Sequence, residues 1–186
     1  MKKFLIFLIL AMAYVLPAHA MSKEKKAPLS ADPASLSADS PTRSLLDYIK
    51  DYVDVPAGAT DWKIFGSTKE TSVEGKSKDG FDFQYYKPGF TPAVKKLAGQ
   101  EITVKGFMFP LNETEKQKLF LFGPFPVSCP FHYHVSPALV LEVHADKAPI
   151  KFSYDPVTIR GRLELVEKDP ENSTFYRLVD AQEIKN

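Results

Sequence analysis

The pattern of apolar and polar positions changes twice along the chain and so divides it into three regions. Residues 1–20 hold two lysines followed by an unbroken apolar run, whereas residues 21–43 contain few large apolar side chains. From residue 44 onward, apolar residues recur at spacings typical of helices and strands. The chain is therefore predicted to consist of a leader, a flexible tether over 21–43 that cannot repay its ordering entropy, and one domain over 44–186.

Two short helices and a hairpin are predicted in the first half of this domain. Ser44 to Val53 has apolar residues at helical spacing, and Thr91 to Leu97, with an early proline and a following glycine, is typical of a helical turn. Asp61 to Phe65 and Phe81 to Tyr86 are predicted as two strands joined by a polar segment that contains glycine. These elements form an extension ahead of the main sheet.

The second half of the chain is a series of strands without a long helix between them. Positions 157–165 alternate between apolar and polar, as expected for a strand with one buried face, and Gly106 and Gly161 interrupt their strands where barrels bend or bulge. This spacing predicts a mainly β fold, a small five-stranded OB-like Greek-key barrel, with a β-sandwich as the alternative. The five predicted strands cover residues 101–110, 118–123, 138–145, 157–166 and 175–184.

The first twenty residues have the three parts of a secretory signal peptide. Lys2 and Lys3 precede an apolar run from Phe4 to Leu16, and Ala18 to Ala20 provides the small-x-small cleavage pattern, so the mature chain is expected to begin at Met21. No later segment approaches the roughly 20 apolar residues of a transmembrane helix. We expect a bacterial protein that is periplasmic or secreted, with no transmembrane segment in the mature chain.

Composition and charge exclude two classes of protein. The 186 residues include 15 prolines and 14 phenylalanines, which disfavour a helical bundle. The formal net charge is +1, and without Lys2 and Lys3 the chain has 22 basic and 23 acidic residues. Nucleic acid is therefore not an expected partner, because the electrostatic term for binding phosphates is missing.

The only cysteine and three of the four histidines lie within sixteen residues of one another. Cys129, His132 and His134 form a Cys-x-x-His-x-His pattern around prolines, which allows all three side chains to converge on one ion. A thiolate with two imidazoles suits zinc or copper and suits magnesium or calcium poorly. The sequence predicts a metal site at these residues, with Zn(II) ahead of copper.

A fourth ligand is less well defined. His144 belongs to a predicted strand that would carry it to the opposite end of the barrel, which leaves water, Met108, Glu142 or a group from a partner in the fourth position. Three ligands with an open position are typical of a site that exchanges its metal. We therefore expect a protein that delivers or buffers metal for a partner.

Other interpretations of this segment stay open. Cys129 could be an inert buried thiol or could pair with a second chain, and a nucleophilic cysteine would need an orienting Asn or Asp that the motif does not contain. An enzyme is therefore not expected. The main alternative is a non-catalytic interaction domain that presents the Phe- and Pro-rich loop 122–137, with Phe125, Phe131 and Tyr133 exposed, to a protein of the cell envelope.

Four sequence runs in the second half of the chain are GFMFPL at Gly106–Leu111, FLFGPFPVSCPFHYHV at 120–135, VTIRGRLEL at 157–165 and YRLVDAQEI at 176–184. Through these runs, residues 60–184 resemble a family of exported bacterial proteins of unknown function. The resemblance implies an OB-like barrel in the periplasm with no assigned enzymatic activity. Only Cys129 is carried over from the family pattern, whereas His132 and His134 are assigned from their chemistry alone.

Overall fold

The computed structural model describes residues 43–128 and 135–185. Its helices are α1 (Leu45–Tyr48), α2 (Trp62–Phe65) and α3 (Pro92–Leu97), and 3₁₀ turns occur at Ile49–Asp51 and Pro137–Leu139. Its strands are β1 (Lys69–Lys76), β2 (Asp82–Gly89), β3 (Glu101–Pro110), β4 (Lys116–Gln117), β5 (Leu119–Gly123), β6 (Leu141–His144), β7 (Ile150–Lys151), β8 (Val157–Leu165) and β9 (Tyr176–Glu183).

The strand predicted over Asp61–Phe65 is wrong, because these residues form α2. The Asp61 carboxylate accepts a hydrogen bond from the Lys63 amide at 2.8 Å and so caps the helix start. Trp62 and Phe65, three positions apart, then lie on the same side of the turn, and both are fully buried. The two aromatic side chains thus satisfy helical rather than strand periodicity.

The hairpin of the first half is formed by β1 and β2 instead. The two strands pair antiparallel over their whole length, from Lys69 opposite Gly89 to Lys76 opposite Asp82. Most of its side chains are exposed. The hairpin therefore depends for its position on specific polar contacts with the rest of the domain.

The main sheet is a closed barrel with the strand order β3-β5-β6-β9-β8. Neighbouring strands are antiparallel except for β6 and β9, which run parallel. The barrel strands in chain order are β3, β5, β6, β8 and β9, and β3 pairs with both β5 and β8. This arrangement of five strands in a closed Greek-key barrel is an OB-like fold. The predicted fold class is confirmed, and the β-sandwich alternative is wrong.

The barrel closes because β3 is shared between two neighbours. Glu101–Gly106 pairs with β8, and Phe107–Pro110 pairs with β5. At the change of partner, a Cβ added to Gly106 would lie 2.6 Å from the Gly123 carbonyl oxygen and 3.0 Å from the Trp62 ring. Only glycine allows this approach, as expected where a barrel strand bends sharply.

The barrel interior is filled by aromatic and aliphatic side chains. Phe120, Phe122 and Leu141 are fully buried, and α2 covers one end of this core through Trp62, whose indole N–H donates to the Lys105 carbonyl oxygen at 2.7 Å. The Tyr176 hydroxyl donates to the Phe65 carbonyl oxygen at 3.0 Å. Burial raises the pKa of Tyr176 to about 12, so this donor stays protonated.

Gly106→Ala should destabilise the domain by about 1–3 kcal/mol, because the new methyl group overlaps a backbone carbonyl that cannot move without breaking the β3–β5 pairing. Urea unfolding of residues 21–186 measures this change. Gly89→Ala is the matched control, since its Cβ would meet only Lys69 atoms, at 3.3 Å and beyond. Equal stability of the two variants would contradict the assigned close contact.

Candidate functional site

The predicted metal ligands Cys129, His132 and His134 lie outside the described residues, as do Phe131 and Tyr133. The structure does show the residues on either side of this segment. Ser128 precedes it and Val135 follows it, and each lines a cavity on the barrel. The flanks therefore define where the segment leaves and rejoins the domain.

Phe125 anchors the residues that precede the segment 129–134. Its side chain is fully buried, and its ring meets the ring of Tyr52 edge-on with centroids 5.3 Å apart. The expectation that Phe125 is exposed for a partner is wrong, because the ring fills the space between the barrel and the segment that contains α1. Val127 is the exposed apolar residue of this flank.

The C-terminal flank is held by a carboxylate from the hairpin. Ser136 caps the 3₁₀ turn by accepting a hydrogen bond from the Ala138 amide at 3.0 Å. The Glu70 carboxylate of β1 accepts from the same amide at 3.2 Å and from the Ser136 hydroxyl. The loop therefore rejoins the barrel at a point that both the turn and the hairpin fix.

Met108 of β3, a candidate fourth ligand, lies beside the N-terminal flank. Its side chain is only 1% exposed and belongs to the hydrophobic core. It nevertheless borders a cavity of about 280 Å³ that Ser128 also lines. The other residues around this cavity are Phe107, Pro126, Val127, Phe152 and Tyr154.

His144 and Glu142 lie on the outer face of β6 and are engaged with each other. His144 Nε2 is 2.7 Å from Glu142 Oε1, which also accepts from Arg177 Nε of the neighbouring strand β9 at 2.7 Å. Since an ionised carboxylate can only accept, Nε2 carries the proton. His144 is the last residue of β6 and lies on the outer face, whereas Met108 lies inside the barrel. The structure therefore does not bring His144 and Met108, the two candidate fourth ligands, together.

The contacts of Glu142 determine its charge. Burial by itself disfavours the ionised form, but the hydrogen bonds from His144 and Arg177 and the positive charge of Arg177 outweigh it and hold the pKa of Glu142 below its ordinary value. Sequence reasoning considered Glu142 only as a metal ligand. It did not find Arg177, because parallel pairing of β6 with β9 joins positions 35 residues apart.

A groove runs along the outer face of β5 and β6. Its volume is about 460 Å³, within the usual range for ligand sites. Glu142 is the only ionisable side chain among its lining residues, which also include three leucines. The full lining is Leu111, Leu119, Leu121, Val135, Pro137, Val140, Glu142, Asn172, Ser173 and Thr174.

The β8–β9 loop forms one wall of this groove and is organised by Asp169. Its carboxylate accepts hydrogen bonds from the amides of Glu171, Asn172 and Thr174 at 3.2–3.3 Å. Burial disfavours ionisation, but these amides outweigh it and lower the pKa of Asp169. Ser173 Oγ in turn accepts from the Tyr86 amide at 3.0 Å, which ties the wall to the hairpin.

Neither a grouped set of metal ligands nor a helix able to cross a membrane occurs in the part of the chain that the structure describes. No group of three or more His, Cys, Asp or Glu side chains within 43–128 and 135–185 is arranged to hold a metal ion. Over the same ranges, every helix is too short or too polar to cross a membrane. A metal site of the predicted composition therefore needs ligands from residues 129–134.

Comparison with known proteins identifies the family of the chain. Residues 54–186 match the family model described as Protein of unknown function (DUF3299). No curated protein and no solved structure matches the chain. The expected resemblance to a family of unknown function is confirmed.

Glu142→Gln should cost about 1 kcal/mol at pH 7, because the amide keeps an acceptor but loses the charge that Arg177 and His144 stabilise. The folded pKa lies below the ordinary value of 4.5, so this stabilisation is fully present above about pH 4.5 and disappears as pH falls through the lowered pKa. Urea unfolding at pH 7 and at pH 3 measures it. The exposed Glu113→Gln is the control, and a Glu142→Gln deficit that persists undiminished at pH 3 would contradict the assignment.

Proposed function

The chain belongs to DUF3299, a family of proteins of unknown function, and we propose that it binds one transition metal ion, zinc ahead of copper, through Cys129, His132 and His134. The observation that carries this proposal is the concentration of all strong nitrogen and sulfur ligands of the chain, apart from His19 and His144, within six residues. Thiolate and imidazole are the ligands that zinc and copper prefer in proteins.

The anchored flanks support such a site. Phe125 is buried on one side of the segment, and Ser136 is held by Glu70 on the other. A six-residue segment between two fixed points has less conformational freedom to lose than a free chain when its side chains gather around an ion. The barrel thus lowers the entropic cost of binding.

The ligand count supports exchange of the metal rather than a structural role. Three protein ligands leave one position of a tetrahedral ion open, and a partner or a small molecule can enter there. The leader pattern supports export to the periplasm or beyond. We therefore propose that the protein buffers metal in the cell envelope or delivers it to a partner, without a catalytic step of its own.

Residues 21–186, purified without a tag or chelator, should contain about one equivalent of zinc or copper by elemental analysis. The double variant His132→Ala, His134→Ala and the single variant Cys129→Ser should lose it while remaining folded, because these side chains serve the ion rather than the core. His144→Ala is the matched control and should retain the metal. Retention of a full equivalent by the double variant would refute the assignment of the ligands.

Metal affinity should decrease as pH falls below the ordinary histidine pKa of about 6.5, because protons compete with the ion for both imidazoles. Titration of zinc at intervals between pH 8 and pH 5, read by competition with a coloured chelator, measures this dependence. An affinity that stays constant over this interval would be incompatible with histidine ligands.

A second candidate is an interaction domain that binds a protein of the cell envelope. The observation that favours it is the leucine-lined groove of about 460 Å³ on the outer face of β5 and β6. With Phe125 buried and unable to contact a partner, this groove is the candidate surface that the described residues provide. Absence of metal in the purified protein, together with unchanged titrations of the double variant, would favour this candidate over metal binding.

A further inference from the structure

The groove on the outer face of β5 and β6 lies where OB-like barrels bind their ligands. In this architecture the ligand surface is the face of the second and third strands together with the loops after the first and fourth strands. Here β5 and β6 are the second and third barrel strands, Leu111 follows the first, and 172–174 follow the fourth. The groove of about 460 Å³ therefore occupies a position suited to a ligand.

The lining of the groove is mainly apolar and open to solvent. Three leucines, two valines and one proline belong to it, and the exposed fractions of Leu111 and Leu119 are 54% and 38%. No described lining residue is basic or aromatic. Single-stranded nucleic acid is bound through basic grooves and aromatic stacking, so this surface does not suit it. The lining favours a ligand with an apolar body.

Glu142 supplies the negative charge of the lining, and only one of its oxygens is engaged. The hydrogen bonds from His144 Nε2 and Arg177 Nε both end on Oε1, each at 2.7 Å. No described residue donates to Oε2. Among the described residues, the only buried side-chain oxygen without a partner is that of Gln117, so Oε2 of Glu142 keeps contact with solvent. The groove thus contains a carboxylate oxygen that can accept a further hydrogen bond.

We propose that the groove binds a small molecule with an apolar body and one ammonium group, and that the ammonium group donates to Oε2 of Glu142. Neither Arg177 nor His144 belongs to the lining, so a cation in the groove meets the carboxylate first. Hydrogen bonds between charged groups are stronger than neutral ones. The inference goes beyond metal binding and uses no residue of 129–134.

The groove is also preformed for such a ligand. The two donors on Oε1 fix the orientation of the Glu142 carboxylate, and Asp169 fixes the opposite wall through three backbone amides. Within that wall Ser173 has a φ of 54°, a left-handed conformation that residues other than glycine rarely adopt. Strained backbone of this kind concentrates at ligand sites. A wall that is already ordered lowers the entropic cost of binding.

The test titrates isotope-labelled residues 21–186 at neutral pH with hexylammonium, hexanol and hexanoate, and follows the backbone amide chemical shifts. Hexylammonium should shift amides of β5, β6 and 172–174, and should bind about tenfold more tightly than hexanol, because the charged hydrogen bond contributes more than a neutral one. Hexanoate should bind more weakly than hexanol, since its charge repels Glu142. Equal affinities for hexylammonium and hexanol, shifts confined to other surfaces, or no shift with hexylammonium would overturn the proposal.

Glu142→Gln should reduce the affinity for hexylammonium about tenfold, to the level of hexanol. Hexanol binding should stay unchanged in this variant, which shows that the groove is still folded. Glu164→Gln is the matched control, because the Glu164 carboxylate also accepts from an arginine, Arg162, at 2.7 Å but lies outside the lining. Wild-type affinity for hexylammonium in Glu142→Gln, or an equal loss in both variants, would remove the assigned role of Oε2.

The double variant His132→Ala, His134→Ala separates this inference from the proposed metal site. It should bind hexylammonium as wild type does, because the groove residues that carry the proposal are unchanged. A loss of hexylammonium binding in the double variant would contradict the independence of the groove.

Discussion

The carbonyl oxygen of Gly123 lies so close to Gly106 that no side chain fits between β3 and β5 at this point. This contact allows β3 to leave β8 and continue along β5, which closes the barrel. The Trp62 ring of α2 packs against Gly106, and its indole N–H donates a hydrogen bond to the Lys105 carbonyl oxygen. The positions of both cavities follow from this closure, because Met108 and the groove strand β5 lie directly beyond it.

Polar contacts between distant segments then fix two loops that border the groove. Glu70 reaches Ser136 from the hairpin, and the Tyr86 amide reaches Ser173 in the β8–β9 loop. The exposed hairpin thus has a structural role, since it joins two loops that border the groove. Its strands contribute little to the core, so these hydrogen bonds are the main reason for its position.

The outer face of the barrel wall carries a polar cluster, and the inner face carries the apolar core. On the outer face, the Glu142 carboxylate forms an ion pair with Arg177 and accepts a supporting hydrogen bond from the N–H of His144. On the inside, Met108 packs with the other buried side chains of the core. Adjacent strand positions point to opposite faces, so these groups stay apart although their strands both pair with β5.

The sequence alone determined the mainly β fold, the five barrel strands and the bends at Gly106 and Gly161. The alternation of apolar and polar residues and the positions of glycines are visible within short segments of the chain, without knowledge of the tertiary structure. The Gly161 bulge is seen as the shift of register between Arg160 and Arg162. Sequence reasoning assigned a strand to Trp62 and Phe65, since five residues are too few to separate helical from strand periodicity without the Asp61 cap.

Only the tertiary structure decided which candidates share a surface. Burial of Phe125 depends on its contact with Tyr52, and the pairing of Glu142 with Arg177 depends on parallel strands distant in sequence. Likewise, Met108 borders the cavity at Ser128 because β3 and the segment after β5 meet at one end of the barrel. The grouping of Cys129, His132 and His134 within six residues is a property of the sequence, whereas the contacts of Phe125 and Glu142 depend on long-range packing that brings distant segments together.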